Sequence, residues 1–182
     1  MNSAVISPCG QYRYRLDREC EPILRLAPAD VLKAPTFAYF GINPSTADAD
    51  LDDATVRKWR GFTERSGGGH FIVGNVFSYR ATGVKLVGKV PFPQGPQHFM
   101  HIEQIIAEAD VLVPCWGGRD KVPKHLREQL DMLLAWLHRS GKPVWHFGKT
   151  DGGDPKHPLF LPYTTPLIPL VPAGTGTTDL MR

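Results

Sequence analysis

Between positions 36 and 147 the chain alternates short apolar runs with amphipathic stretches of helical period, and each apolar run is followed by a glycine-bearing turn. This alternation constrains the fold more than any other feature. Strand, helix, strand in regular succession is the pattern of a mainly parallel sheet, whose crossovers cover both faces and whose strands therefore read as continuous apolar runs. The predicted strands are residues 36–40, 70–79, 111–116 and 143–147. The predicted helices are 54 to about 65, 97–109 and 124–138. Asp52 or Asp53 is placed to cap the first helix, along which Val56, Trp59 and Phe62 recur at helical spacing until Ser66-Gly67-Gly68-Gly69 ends it. The fold expected is α/β, three layers around a central, mainly parallel four-stranded sheet. In such sheets ligands bind beyond the carboxyl ends of the strands. Here those ends carry 41–45, 75–83, 116–118 and 148–161.

Upstream, β-forming residues flank Ser7-Pro8-Cys9-Gly10, which predicts an N-terminal β-hairpin over 4–16, lying at an edge of the sheet or as a lid. One domain is expected over 1–182, with 1–35 as the hairpin extension and 36–182 as the core. A chain of 182 residues, 42% hydrophobic and 21% charged, has enough apolar surface for one such core. No apolar run approaches the roughly 20 residues of a membrane span. The first residues lack the pattern of a secretion signal, so a cytoplasmic protein is expected, with no membrane partner. Cys9, Cys20 and Cys115 cannot all pair and form no Cys-x-x-Cys, which suits reduced thiols and no structural zinc. His98 and His101 stand three apart without a carboxylate partner, so neither a metal nor a cofactor is expected. A net charge of +3 permits a local nucleic-acid patch without demanding one.

Four groups of residues can carry chemistry. Gly41-Ile42-Asn43-Pro44-Ser45 turns sharply out of a strand and holds Asn43 at the mouth of the crevice; the same residues also suit a simple Asn-Pro turn. His157-Pro158-Leu159 follows the last strand, where an imidazole can donate to an oxygen gaining negative charge, or can be a surface histidine. Asp48 can activate water beside Asn43 or hold a cation, whereas Asp52 and Asp53 suit helix capping. Asn75, set among apolar residues, either bonds neighbouring backbone or reads the edge of a bound base. Phe77 and Tyr79 offer stacking surfaces or core. Arg80, Lys85, Lys89, Lys121, Lys124, Lys149 and Lys156 form a phosphate-contacting rim or a solvated surface.

The runs Ile6-Ser7-Pro8-Cys9-Gly10-x-Tyr12-Arg13-Tyr14, Gly41 through Asp48, Asp52-Asp53-Ala54-Thr55, and Gly148-Lys149-Thr150 through Leu159 resemble a bacterial and phage family of unknown function, DUF1643. A deeper resemblance is to the uracil-DNA glycosylase superfamily. Gly41–Ser45 is similar to the Gly-Ile-Asn-Pro-Gly motif of its mismatch-specific branch, and Asn75-Val76 through Arg80 to an Asn-Val-x-x-x-Arg strand end. Residues 111–118 are similar to an apolar strand ending in Trp-Gly, and His157-Pro158-Leu159 to a His-Pro-Ser loop.

That resemblance implies a base-excising mechanism on DNA. A nucleotide flips into the crevice and stacks on Phe77, Asn75 reads its edge, Asn43 and Asp48 serve the attacking water, and His157 stabilises the departing base. Ser45, Gly117, Gly118, Arg80 and Lys149 would hold phosphates. Leu159 replaces the serine of the His-Pro-Ser loop and offers an apolar wedge, and Ser45 replaces the last glycine of the first motif. Both departures count against assigning ordinary uracil as the substrate, and a modified or damaged base fits the pattern equally well. Two other readings stay open: recognition of nucleic acid without catalysis, and an enzyme acting on free nucleotides or nucleosides.

Overall fold

A computed structural model describes residues 2–23, 33–45 and 52–171. The sheet is mixed, with five strands in the order β1-β2-β4-β3-β5. These are β1 (Ser3–Ile6), β2 (Arg13–Glu19), β3 (Thr36–Gly41), β4 (His70–Asn75) and β5 (Val111–Pro114). β3 pairs parallel with both β4 and β5, and the hairpin β1–β2 joins antiparallel to β4. The expectation of four mainly parallel strands is therefore corrected in two ways. The hairpin extends the sheet itself, and the fourth core strand shrinks to β6 (Trp145–His146). That strand pairs with β7 (Ile168–Pro169) and meets β5 through a single parallel bridge, Leu112 to Val144. Proline explains part of this: Pro143 and Pro169 have no N–H to give a ladder.

The helices fall where the apolar spacing places them. Helix α1 (Ala54–Arg65) is capped by Asp53, whose carboxylate accepts from the Val56 N–H at 2.8 Å. A single turn, α2 (Val84–Val87), follows the loop after β4, and α3 (His98–Glu108) and α4 (Glu128–Arg139) come next. Strand residues alternate between two cores, as a period of two demands. Phe37, Tyr39, Phe71, Val73, Val113 and Cys115 pack with Val56, Trp59 and Phe62 of α1. Ala38, Phe40, Ile72, Leu112 and Trp116 pack with Ile102 and Ile105 of α3 and with Leu130, Leu133 and Leu137 of α4. Helix α1 thus covers one face of the sheet and α3 and α4 the other. Among the described residues no helix is long and apolar enough to cross a membrane.

Strand β3 lies between β4 and β5, so the chain leaves β3 in one direction and later returns on its other side. That reversal opens a crevice at the carboxyl ends of β3 and β5. Gly41 ends β3 there, and Trp116-Gly117 follows β5.

Candidate functional site

Five residues meet at this crevice. Gly41 stands opposite Asn75 across the β3–β4 pair. A β-carbon at position 41 would lie 3.0 Å from Asn75 Oδ1 and 3.6 Å from the Trp59 ring, so glycine leaves room for both side chains. The Trp59 ring is 6.4 Å from that of His157, and a β-carbon at Gly117 would lie 3.3 Å from the His157 β-carbon. Gly117 has φ +79°, a conformation that favours glycine, and it turns the chain against the His157 loop. Asn75 is only 4% exposed, yet among the described residues its amide finds no hydrogen-bond partner and is not sealed from solvent. An amide so placed is free to pair with a ligand's polar edge.

The state of His157 follows from its surroundings. Its Nδ1 accepts from the Leu159 N–H at 3.3 Å, so the neutral ring carries its proton on Nε2. Burial pushes its pKa below the ordinary histidine value and the Lys121 ammonium adds to this, while the Asp53 carboxylate opposes both. At neutral pH the ring is an uncharged N–H donor. Asp53 thus does more than cap α1: it also accepts the Ser45 hydroxyl and biases His157.

The other candidates are distributed differently from the sequence expectation. Asn43 Nδ2 donates to the carbonyls of Ala81, at 2.8 Å, and Pro44, at 3.1 Å, so the side chain clamps the first loop to the one after β4. The Ala81 N–H completes the clamp by donating back to the Pro44 carbonyl at 3.0 Å. Asp48 lies outside the described residues. Phe77 is fully buried in the core beneath α3 and α4 and offers no face to a base. Trp59 is the aromatic side chain beside Asn75 and His157 instead. The Gly117 N–H is already given to the Pro155 carbonyl at 2.8 Å, and the Gly118 carbonyl accepts from the Lys121 N–H. Arg80 reaches back to the hairpin turn, donating to the Gly10 carbonyl at 3.3 Å. Lys149 lines a separate groove with Asp131, His138 and Arg139 of α4. Leu159 is half-buried, and the side chain that protrudes is Phe160, 92% exposed.

Trp59, Asp53 and Phe160 were thus missed as site residues. Trp59 and Asp53 satisfied the helix pattern so well that nothing marked them for a second role. Phe160 directly follows the His157-Pro158-Leu159 run, and a bulky aromatic in a loop rich in proline and glycine was the available signal. Cys115, next to the site, is sealed in the core with its thiol pushed up to about 12 by burial, which suits packing rather than nucleophilic work. Among the described residues no three His, Cys, Asp or Glu side chains group as metal ligands.

No match to the chain was found among curated proteins or among solved structures. A family model does match, over residues 13–159, from the second strand of the hairpin to the His157 loop and so across every residue of the crevice described above. On that match the chain belongs to the DUF1643 family, described as proteins of unknown function.

Proposed function

We propose that the crevice receives a flipped-out nucleobase, modified or damaged, and that the protein cleaves its N-glycosidic bond. The observation that carries this reading is His157, a half-buried neutral imidazole with its proton on Nε2, standing beside Trp59 and Gly117 at the sheet's reversal point. A neutral N–H donor in a partly desolvated site stabilises a base leaving with negative charge, and it does so without first having to lose a proton. Asn75 supplies the unpaired amide that reads the base edge. Trp59, 4% exposed and packed on Tyr39, forms the apolar wall behind Asn75 and His157 rather than a stacking face.

Asn43 takes the water-positioning role. Its two side-chain hydrogen bonds are both given by Nδ2, which leaves Oδ1 as an acceptor for water. An amide orients water without deprotonating it; the C1′–N electron pair leaves with the base, the water oxygen bonds C1′, and the surplus water proton passes to the departing base or to solvent. Phe160, rather than Leu159, is the wedge, because it alone of the two projects fully from the loop. The likeness of the four strand-end motifs to the uracil-DNA glycosylase superfamily supports the same reading.

A second reading, nucleic-acid recognition without cleavage, is favoured by the engagement of Asn43 in a backbone clamp. A panel of labelled duplexes and single strands separates the two. It carries uracil and mismatched, deaminated, methylated and glucosylated bases, with alkali to reveal abasic sites. Base excision predicts cleavage at one lesion, reduced about 10²–10³-fold in His157→Ala, the usual cost of losing an oxyanion donor. Phe160→Ala should weaken action on duplex more than on single strands. Salt-sensitive binding with no cleavage would support recognition alone. Neither cleavage nor binding would rule out both.

A further inference from the structure

The loop that carries His157 is tied at its root, where the Lys156 N–H donates to the Gly148 carbonyl at 2.9 Å and the Gly117 N–H to the Pro155 carbonyl at 2.8 Å, and it closes one turn of its own through the Leu161 N–H to the Pro158 carbonyl at 3.0 Å. Its first residues rest on Gly117 and Trp59, and its tip, Phe160, stands in solvent. A second restraint comes from beyond the tip, where residues 161–163 lie on α1. Lys58 Nζ donates to the Leu161 carbonyl at 2.6 Å and sits 4.1 Å from the centre of the Tyr163 ring. The Arg65 guanidinium lies 4.2 Å from the same centre, and the Phe62 ring meets it edge-on at 5.2 Å. Gly61 leaves the space that the tyrosine fills, because a β-carbon there would come within 2.6 Å of the ring. The tyrosine hydroxyl adds only a long hydrogen bond, 3.4 Å, to the Arg57 carbonyl.

We propose that Tyr163, seated over Gly61 between Lys58 and Arg65, is a latch whose closure sets the position of His157 and of the Phe160 tip. Tyr163 makes its hydrogen bond and its ring contacts to Arg57, Phe62, Lys58 and Arg65 and to none of the five crevice residues, so it is a positioning residue. Two properties of α1 make the latch work. Its apolar face is committed to the sheet through Val56, Trp59 and Phe62, so the helix is a rigid platform. Its outward face presents a gap in the side-chain layer at Gly61, flanked by two long cationic side chains. A ring dropped into that gap is held by shape and by cation–π attraction. Five residues separate Tyr163 from His157, and Pro158 and Pro162 stiffen that span. Motion at the latch is therefore passed to the imidazole rather than absorbed. In the closed position His157 faces the Asp53 carboxylate from the start of α1 and the Lys121 ammonium from the turn at 119–121.

The inference rests on His157 being a site residue, but its test reads the imidazole directly and needs no substrate. Histidine resonances are titrated by NMR in the wild type, Tyr163→Phe, Tyr163→Ala and Gly61→Ala. The wild-type His157 titrates below the ordinary value of 6.5, as does Tyr163→Phe, which keeps the ring. In Tyr163→Ala and Gly61→Ala the His157 midpoint rises toward 6.5, while His98 and His146 keep theirs. The Leu159 amide, no longer held against Nδ1, exchanges faster in the same two variants. An unmoved His157 midpoint in both, with the fold intact by circular dichroism, overturns the latch. Should Tyr163→Ala unfold, Gly61→Ala decides alone, since alanine favours the helix itself. A moved midpoint in a protein that cleaves no base would keep the latch and reject base excision.

Discussion

Gly41 shows how little of a site's geometry can rest on a special backbone. Its φ is not positive, so the residue is not glycine for conformational reasons. It is glycine because Asn75 Oδ1 and the edge of Trp59 occupy the space of a side chain. Gly41→Ala should therefore push Asn75 aside, costing about 1–3 kcal/mol as a small overpacking and lowering Tm by about 2–4 °C per kcal/mol in a chain of this size. Ligand binding should fall by more than that stability loss explains, because the displaced group is the unpaired amide. A calorimetric melt and a binding titration on the same sample check it, and unchanged affinity would remove Asn75 from the site. At this scale the sequence was legible for types and not for directions. Asn43, Asn75 and His157 were all singled out, but which faces the crevice depends on strand register. Phe77 lies past the end of β4, where the alternation of a strand no longer applies, and it packs in the same core as its neighbour Val76.

At the scale of elements, α1 carries three tasks on one span: core packing, the cap at Asp53 and the seat for Tyr163. Removing the cap isolates one of them. Asp53→Ala should cost about 1–2 kcal/mol, the usual loss for an N-cap. Asp53→Asn should restore most of that stability, since asparagine caps equally well. The carboxylate raises the His157 pKa, so the asparagine variant should titrate His157 lower than the wild type does. Denaturant unfolding and an NMR titration read the two effects separately. Helix α1 was legible because its caps and apolar period agree, and so were β3, α3 and β5. Strand β2 was not legible as an inner strand. Its sequence, Arg-Tyr-Arg-Leu-Asp-Arg-Glu, reads as a charged edge, yet it lies between β1 and β4. The charges are accommodated by pairing: Arg18, 1% exposed, bonds Asp52 at 2.6 Å, and Arg15 grips Asp17 and Glu108. Those partners lie 34 and 93 residues away, Asp17 apart, and no local pattern announces them.

Across the whole molecule the histidines act in one direction. Six of the seven, His70, His98, His101, His138, His146 and His157, are held below the ordinary histidine range, each chiefly by burial. His98 is pushed down to about 4, its ring buried against the Ser78 hydroxyl at 2.8 Å from Nδ1. The folded chain then binds fewer protons than the unfolded chain between the two pKa values, so stability falls as pH falls through that window. For His98 the contribution is complete above about 6.5 and is lost progressively down to about 4, and the other five add loss of the same sign as the pH falls below 6.5. For His98 alone, a difference of roughly 2.5 units corresponds to about 3 kcal/mol. Glu108, held below the carboxylate range by Arg15, adds loss of the same sign at lower pH. Urea midpoints should therefore be flat above pH 7 and decline steadily from 6.5 to 4. His98→Asn, which keeps a partner for Ser78 but cannot ionise, should start less stable and lose less on acidification. A wild-type midpoint that holds constant from pH 7 to 4.5 would mean that these rings are hydrated in solution. The uncharged state assigned to His157 in the crevice would then lose its physical basis.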